Sequence, residues 1–149
     1  MSRPISGDVT LRATSLTKNP EIADFYRRTG YSASLEESDQ VLVAESGGEI
    51  VGVLRLGQEE GVWVLRGMRV IENRRRQGLG SALLREAAGL LGQATCYCIP
   101  HAFLEAFYAS AGFARIQVRA APPFLLDRWH DYGRRGLDVI IMRRKGART

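Results

Sequence analysis

Only two cysteines are present, and of the 21 basic residues only Lys18 and Lys145 are lysines. So few cysteines exclude a disulfide-stapled framework. Cys96 and Cys98 stand two apart in "ATCYCIP", so on a strand they share one face, with His101 as a third candidate metal ligand. A structural zinc site takes four ligands, usually with C-x2-C pairs. Buried core thiols are therefore preferred, and no metal is expected. No run approaches the roughly 18 apolar residues that span a bilayer, and "MSRPISGDVTLRATS" lacks an apolar signal core. No membrane contact is expected, and the cytoplasm is the default compartment. Also missing is a basic stripe interleaved with aromatics, which single-strand binding modules use. The dense basic clusters are Arg74, Arg75 and Arg76 and the tail "RRKGAR". No nucleic-acid partner is expected, and salt-dependent DNA binding is the test of that rival.

The chain has 149 residues, enough for one domain spanning 1–149 with a sizeable core. Its formal net charge of +5 favours anionic ligands without choosing among them. Residues 8–14 alternate as a strand does. "NPEIADFYRRTGY" offers Asn19 as a cap, Pro20 in the first turn, Ile22, Phe25 and Tyr26 at helical spacing, and Gly30 as a stop. "QVLVAE", "SGGE" and "IVGVLRL" form a hairpin, and "GVWVLRGMRVI" a central strand. Apolar positions 79, 82, 83, 87, 90 and 91 follow helical periodicity. "ATCYCI" is a strand and "HAFLEAFYASAGF" a helix of about three turns ended by Gly112. Then come the strand "ARIQVRA", a short helix in residues 122–136 and the strand "LDVIIMRR". The order predicts an α/β (α+β) fold, a mixed sheet of about seven strands with helices on both faces.

"NRRRQGLGSALLREAAGLL" gathers arginines and glycines where a helix begins. The first amides of a helix have no intrahelical partner, and its dipole adds positive charge. Glycine lets an anion approach the main chain, so the stretch suits a phosphate. It is neither G-x-x-x-x-G-K-[ST], which is absent, nor the dinucleotide fingerprint, because Leu83 occupies the third glycine position.

"VIENRRRQGLGSALL" resembles the coenzyme A-binding motif [Q/R]-x-x-G-x-[G/A] of the GNAT superfamily of N-acetyltransferases, read as Arg75-x-x-Gly78-x-Gly80. Downstream, "FYASAGF" is similar to that family's Y-x-x-x-G-F helix ending, with Tyr108, Gly112 and Phe113. The likeness runs from about residue 8 to residue 113. It implies the family's central mixed sheet and an acetyltransferase that uses acetyl-CoA as cosubstrate. The amides of Arg76, Gln77, Gly78, Leu79, Gly80 and Ser81 would bind pyrophosphate, helped by the Arg75 side chain and the Ser81 hydroxyl. Met68 and Val70 would pair through their main chain with the pantetheine arm, where two strands splay apart. The amine would attack the thioester directly, with Tyr108 protonating the departing thiolate. Without the motif, Tyr108 reads as a core aromatic beside Phe107. The resemblance also leaves a homodimer open, although no motif speaks for it.

The pattern departs from the family in two places. His101 stands where many members have an asparagine that bonds the cofactor arm; it is a hydrogen-bonding partner, a base or a helix-start residue. The central strand lacks the family's glutamate and carries Arg66 and Arg69 instead. In a regular strand Arg66 would share a face with Val64 and Met68, with Arg69 opposite. Arg66 then needs Glu45, Glu59 or a substrate carboxylate as its anion. Asp127, His130, Asp131 and Tyr132 are further base candidates. The expected acceptor is a small-molecule amine, with an acidic group if Arg66 binds substrate. The alternatives are a protein or peptide acetyltransferase and a non-catalytic acyl-CoA-binding protein on the same fold.

Overall fold

The computed structural model describes residues 3–6, 8–31 and 34–145, with backbone alone for 3–6. The last residues of the basic tail, 146–149, lie outside the described part. Strands β1 (Arg3–Ser6) and β2 (Val9–Thr14) precede helix α1 (Glu21–Arg28). β3 (Gln40–Ser46), β4 (Glu49–Glu59) and β5 (Val62–Val70) form an antiparallel meander. Helix α2 (Leu79–Leu91), β6 (Cys96–Cys98), α3 (Glu105–Ala109), β7 (Phe113–Arg115), α4 (Pro123–Arg134) and β8 (Met142–Arg144) complete the order. One mixed sheet results, ordered β1-β2-β3-β4-β5-β6-β8-β7. It has eight strands, because β1 pairs antiparallel with β2 beyond the seven read from the sequence.

Alternation along β3 explains the two layers. Val41 and Val43 face α1, where Ile22, Phe25 and Tyr26 at helical spacing bury an apolar stripe with Ile50 and Val53. Leu42 and Ala44 face α2, joining Leu79, Leu83, Leu84 and Ala87 in the larger core. Each such fully buried side chain contributes about 1.5–3 kcal/mol. α4 packs through Leu125 on Val64, Tyr97 and Ile141. Cys96 and Cys98 are buried in the α2-side core, with their thiols pushed up by burial, Cys96 to about 12.

Three elements differ from the periodic reading. Residues 102–109 form a 3-10 turn followed by the five-residue α3, not three α-helical turns. Their start is tied down by an Ala102 N–H bond to Asp138 O and a bridge between His101 and Val139. "LDVIIMRR" is a ladder strand only from Met142; Val139 makes an isolated bridge to His101, and its O accepts from Trp129 Nε1 at 2.9 Å. "ARIQVRA" is likewise a strand only to Arg115, since residues 118–120 turn as 3-10 helix.

β5 has a bulge opposite Val53 and Arg55, which pair with Arg69 and Arg66. Gly67 occupies it at φ +67, and a Cβ there would meet the Tyr26 hydroxyl at 2.5 Å and Arg55 Nε at 2.9 Å. The extra residue corrects the regular-strand expectation. Val53 and Arg55 share a face of β4, so Arg66 and Arg69 share the α1 side of the sheet.

Candidate active site

β5 and β6 are parallel and pair only through Trp63–Cys96 and Val64–Tyr97. Beyond Val64 they part, leaving the β6-facing edge of β5 without a strand partner from residue 65 to residue 70. A cleft of about 530 Å3 opens there. Met68, Cys98, His101, Leu104 and Tyr108 line it, as do Tyr31, Arg66 and Arg69 and, from α4, Arg128 and Tyr132. Met68, Cys98, Leu104 and Tyr108 belong to the α2-side core or pack on it. Arg66 and Arg69 belong to the α1 side, so the cleft passes between the two faces of the sheet.

Tyr108 is buried on α3, edge-on to Phe107 (5.1 Å between centroids) and Phe113 (6.0 Å). Its hydroxyl bonds none of the described residues, and Tyr108 lines the cleft. Burial, and then the nearby Cys98, holds its phenol well above the ordinary range, so it stays protonated at neutral pH. His101 is exposed at the cleft margin, stacked on Phe103 at 5.5 Å.

Between β5 and α2 the chain makes a 3-10 turn at Glu72–Arg74 and then places Arg76 at φ +67 and Gly78 at φ +81. Ala82 N–H is the first amide to bond back, to Gly78 O at 3.0 Å. The amides of Arg76, Gln77, Gly78, Leu79, Gly80 and Ser81 therefore have no acceptor among the described residues. No atom lies within 4 Å of the space a Gly78 side chain would occupy, so the turn is open. Gly80 differs: a Cβ there would touch Phe107 Cζ at 3.0 Å. Its missing side chain lets Phe107, and with it Tyr108, sit against the start of α2.

The arginines divide by partner. Arg74 is held by Asp8 (2.7 Å) and the Ser46 hydroxyl (2.7 Å). Arg75 Nε donates to Val70 O at 3.1 Å, so these two positions read as cofactor contacts meet each other here. Arg66 is ion-paired by Asp39 at 2.6 Å and by Glu59, and Glu45 pairs instead with Arg12. Of the two protein carboxylates considered from the sequence, Glu59 is the partner; Asp39 was not foreseen. Asp39 also holds the fully buried Arg55 at 2.7 Å, which bonds the Tyr31 hydroxyl and lies over the Tyr26 ring. Glu59 reaches Arg128 of α4 at 2.5 Å. Arg128 and then Arg66 hold the Glu59 carboxyl below its ordinary value against the opposing effect of burial. Of the base candidates on α4, Tyr132 lines the cleft, whereas Asp127, His130 and Asp131 are exposed away from it. Gly67 was the overlooked signal: a glycine inside a strand pattern marks a bulge.

A mixed sheet that parts beside a helix start with open amides defines an α/β protein suited to a chain-like ligand with an anionic end. The sequence profile of the acetyltransferase (GNAT) domain family matches residues 37–115. More than half of the chain is covered, and the chain belongs to that family. No functionally curated protein matches it in sequence. Among solved structures it is similar to N-acetylglutamate synthase from Neisseria gonorrhoeae complexed with coenzyme A and N-acetyl-glutamate, at 19% identity and TM-score 0.71. That match covers 97% of this chain but 36% of the other, so the chain spans about a third of that protein. It is also similar to the ribosomal-protein-S18-alanine N-acetyltransferase from Escherichia coli, at 18% identity and TM-score 0.67, covering 93% and 96%. An acyl-CoA N-acyltransferase from Pseudomonas aeruginosa matches at 20% identity and TM-score 0.66, covering 91% and 99%. At these identities the likeness is one of fold.

Proposed function

We propose that the chain is an acetyl-CoA-dependent N-acetyltransferase acting on a small amine. The observation that carries this reading is Tyr108, which lines the cleft where β5 and β6 separate and whose hydroxyl bonds none of the described residues. Acetyl-CoA fits the chain's open groups, namely six adjacent amides running into the first turn of α2 and a β5 edge that no described strand pairs beyond Val64. When bound, it supplies an activated acetyl thioester. Residues 76–81 would hold the pyrophosphate, helped by the Ser81 hydroxyl and Arg76, and the main chain of Met68 and Val70 would orient the arm. The Arg75 side chain, whose Nε donates to Val70 O, would turn to join the phosphates. Tyr108 holds the proton that a departing thiolate requires and keeps it at neutral pH because of its burial. His101, exposed at the cleft margin, would accept the proton from the acceptor amine.

A small acceptor is favoured because α4 walls the cleft with Arg128 and Tyr132, and Glu59 pins that helix to the sheet. Tyr108→Phe tests the reading. Acetyl-CoA affinity by calorimetry should stay near the parent value, while kcat for thiol release falls on the order of a hundredfold. A kcat within about twofold of the parent would return Tyr108 to core packing, since losing a general acid typically costs far more.

A further inference from the structure

We infer that Arg69, and not Arg66, anchors a carboxylate carried by the acceptor, which makes the acceptor an amino acid or another amine with an acidic group. This rests on the acetyltransferase reading and deepens it.

Four arginines line the cleft, Arg66, Arg69, Arg128 and Arg135, and no aspartate or glutamate does. Three have carboxylate partners within the protein. Arg66 has Asp39 and Glu59, Arg128 has Glu59, and Arg135 has Asp131 at 3.3 Å. Arg69 has none among the described residues. Its Nη2 donates to the neutral carbonyl of Thr29 at 2.5 Å, its Nε is buried without an acceptor, and its Nη1 bonds none of the described residues. A guanidinium left in this state has no carboxylate beside it and lacks a partner for the one donor, Nε, that folding took from water, an arrangement that is costly to maintain. An arriving carboxylate pairs with the open Nη1 and offsets the guanidinium charge, because guanidinium and carboxylate form charge-assisted hydrogen bonds.

Position supports the same assignment. The bulge at Gly67 turns Arg69 onto the α1 side of the sheet, beside Gly30 and Tyr31, which also line the cleft. Tyr108 and Met68 approach from the α2 side, where the cofactor cradle lies. The Thr29 carbonyl grips one edge of the guanidinium and limits its rotation. A purely cationic acceptor would meet uncompensated positive charge at Arg69; one carrying its own carboxylate neutralises it.

The experiment measures thiol release from acetyl-CoA with matched acceptors: glycine against glycinamide, L-glutamate against L-glutamine, and putrescine and an N-terminal alanyl tripeptide amide as acid-free amines. The parent chain should favour the better carboxylate-bearing member over its amide by about tenfold or more in kcat/KM. Arg69→Gln should raise KM for that acceptor by a similar factor, leave KM for the amide within about twofold, and leave acetyl-CoA affinity unchanged by calorimetry. Arg69→Lys, which keeps the charge but not the fork, should fall between. If Arg69→Gln does not fold, the parent's preference together with Arg69→Lys decides the matter. Acetylation led by putrescine or the tripeptide, or an equal loss with both members of a pair, overturns the role of Arg69 while leaving the acetyltransferase reading intact. Acetyl-CoA binding with no amine acetylated overturns both.

Discussion

At the scale of single residues, the side chains around the cleft are held by charge more than by packing. Asp39 is almost wholly buried, and its two oxygens are shared between Arg55, which is fully buried, and Arg66. Removing one member of a buried pair leaves the other charge in a medium that solvates it poorly. Asp39→Ala should therefore cost roughly 3–5 kcal/mol in urea unfolding, a large share of the stability of a small domain. The aromatic hydroxyls of Tyr26 and Tyr31 still bond Arg55 in the variant. A hydroxyl does not replace the carboxylate as a counter-charge. A loss under about 1 kcal/mol would mean that Arg55 swings out to solvent.

At the scale of elements, the turn from β5 into α2 combines two glycines with different duties. Gly78 needs its left-handed φ and an empty space before the amides, whereas Gly80 needs room for Phe107. Aspartate at Gly78 puts a negative charge into the cradle without touching the core. Gly78→Asp should thus weaken acetyl-CoA by about tenfold or more in calorimetry. It should lower stability by only about 1–2 kcal/mol, the cost of a left-handed non-glycine residue. Gly80→Asp should lower both affinity and stability, because Phe107 must move and carries Tyr108 with it. Equal calorimetric affinity for Gly78→Asp and the parent would show that pyrophosphate binds elsewhere.

At the scale of the whole molecule, four acidic groups are buried in their neutral forms. Burial raises the thiols of Cys96 and Cys98 and the phenols of Tyr26 and Tyr108 above their ordinary values. A group raised in the folded state keeps its proton there after the unfolded chain would release it. Its stabilisation is complete below the unfolded value and is lost as pH rises through the folded one. The chain's Tm should hold steady to about pH 8.5, where free thiols begin to ionise, and fall more steeply beyond about pH 10, where free phenols follow. Thermal unfolding from neutral pH to the alkaline range checks this, and a Tm unchanged beyond the phenol range would count against burial of these groups.

Much of this protein was determined locally and could be read along the chain. Ile22, Phe25 and Tyr26 at helical spacing, the alternation of β3, the hairpin glycines and the apolar face of α2 each follow from repeats of 3.6 or 2 residues. The glycine turn before α2 and the spacing of Tyr108, Gly112 and Phe113 were legible for the same reason: they lie within one or two turns of backbone. What the linear pattern did not decide depends on atoms that meet only after folding. Asp39 is 27 residues before Arg66 yet becomes its counter-ion, and Arg128 comes from α4 to share Glu59, 69 residues away. The extra residue at Gly67 reverses the face of Arg69, because in a strand a one-residue shift moves a side chain through the sheet. The last ladder begins only at Met142, while Val139, bridged to His101, gives its carbonyl to Trp129 of α4. Spacing along the chain marked most of the elements and the glycine turn before α2; only the tertiary structure decided which cleft arginine is left without a counter-charge among the described residues, because that depends on every carboxylate the fold brings within reach.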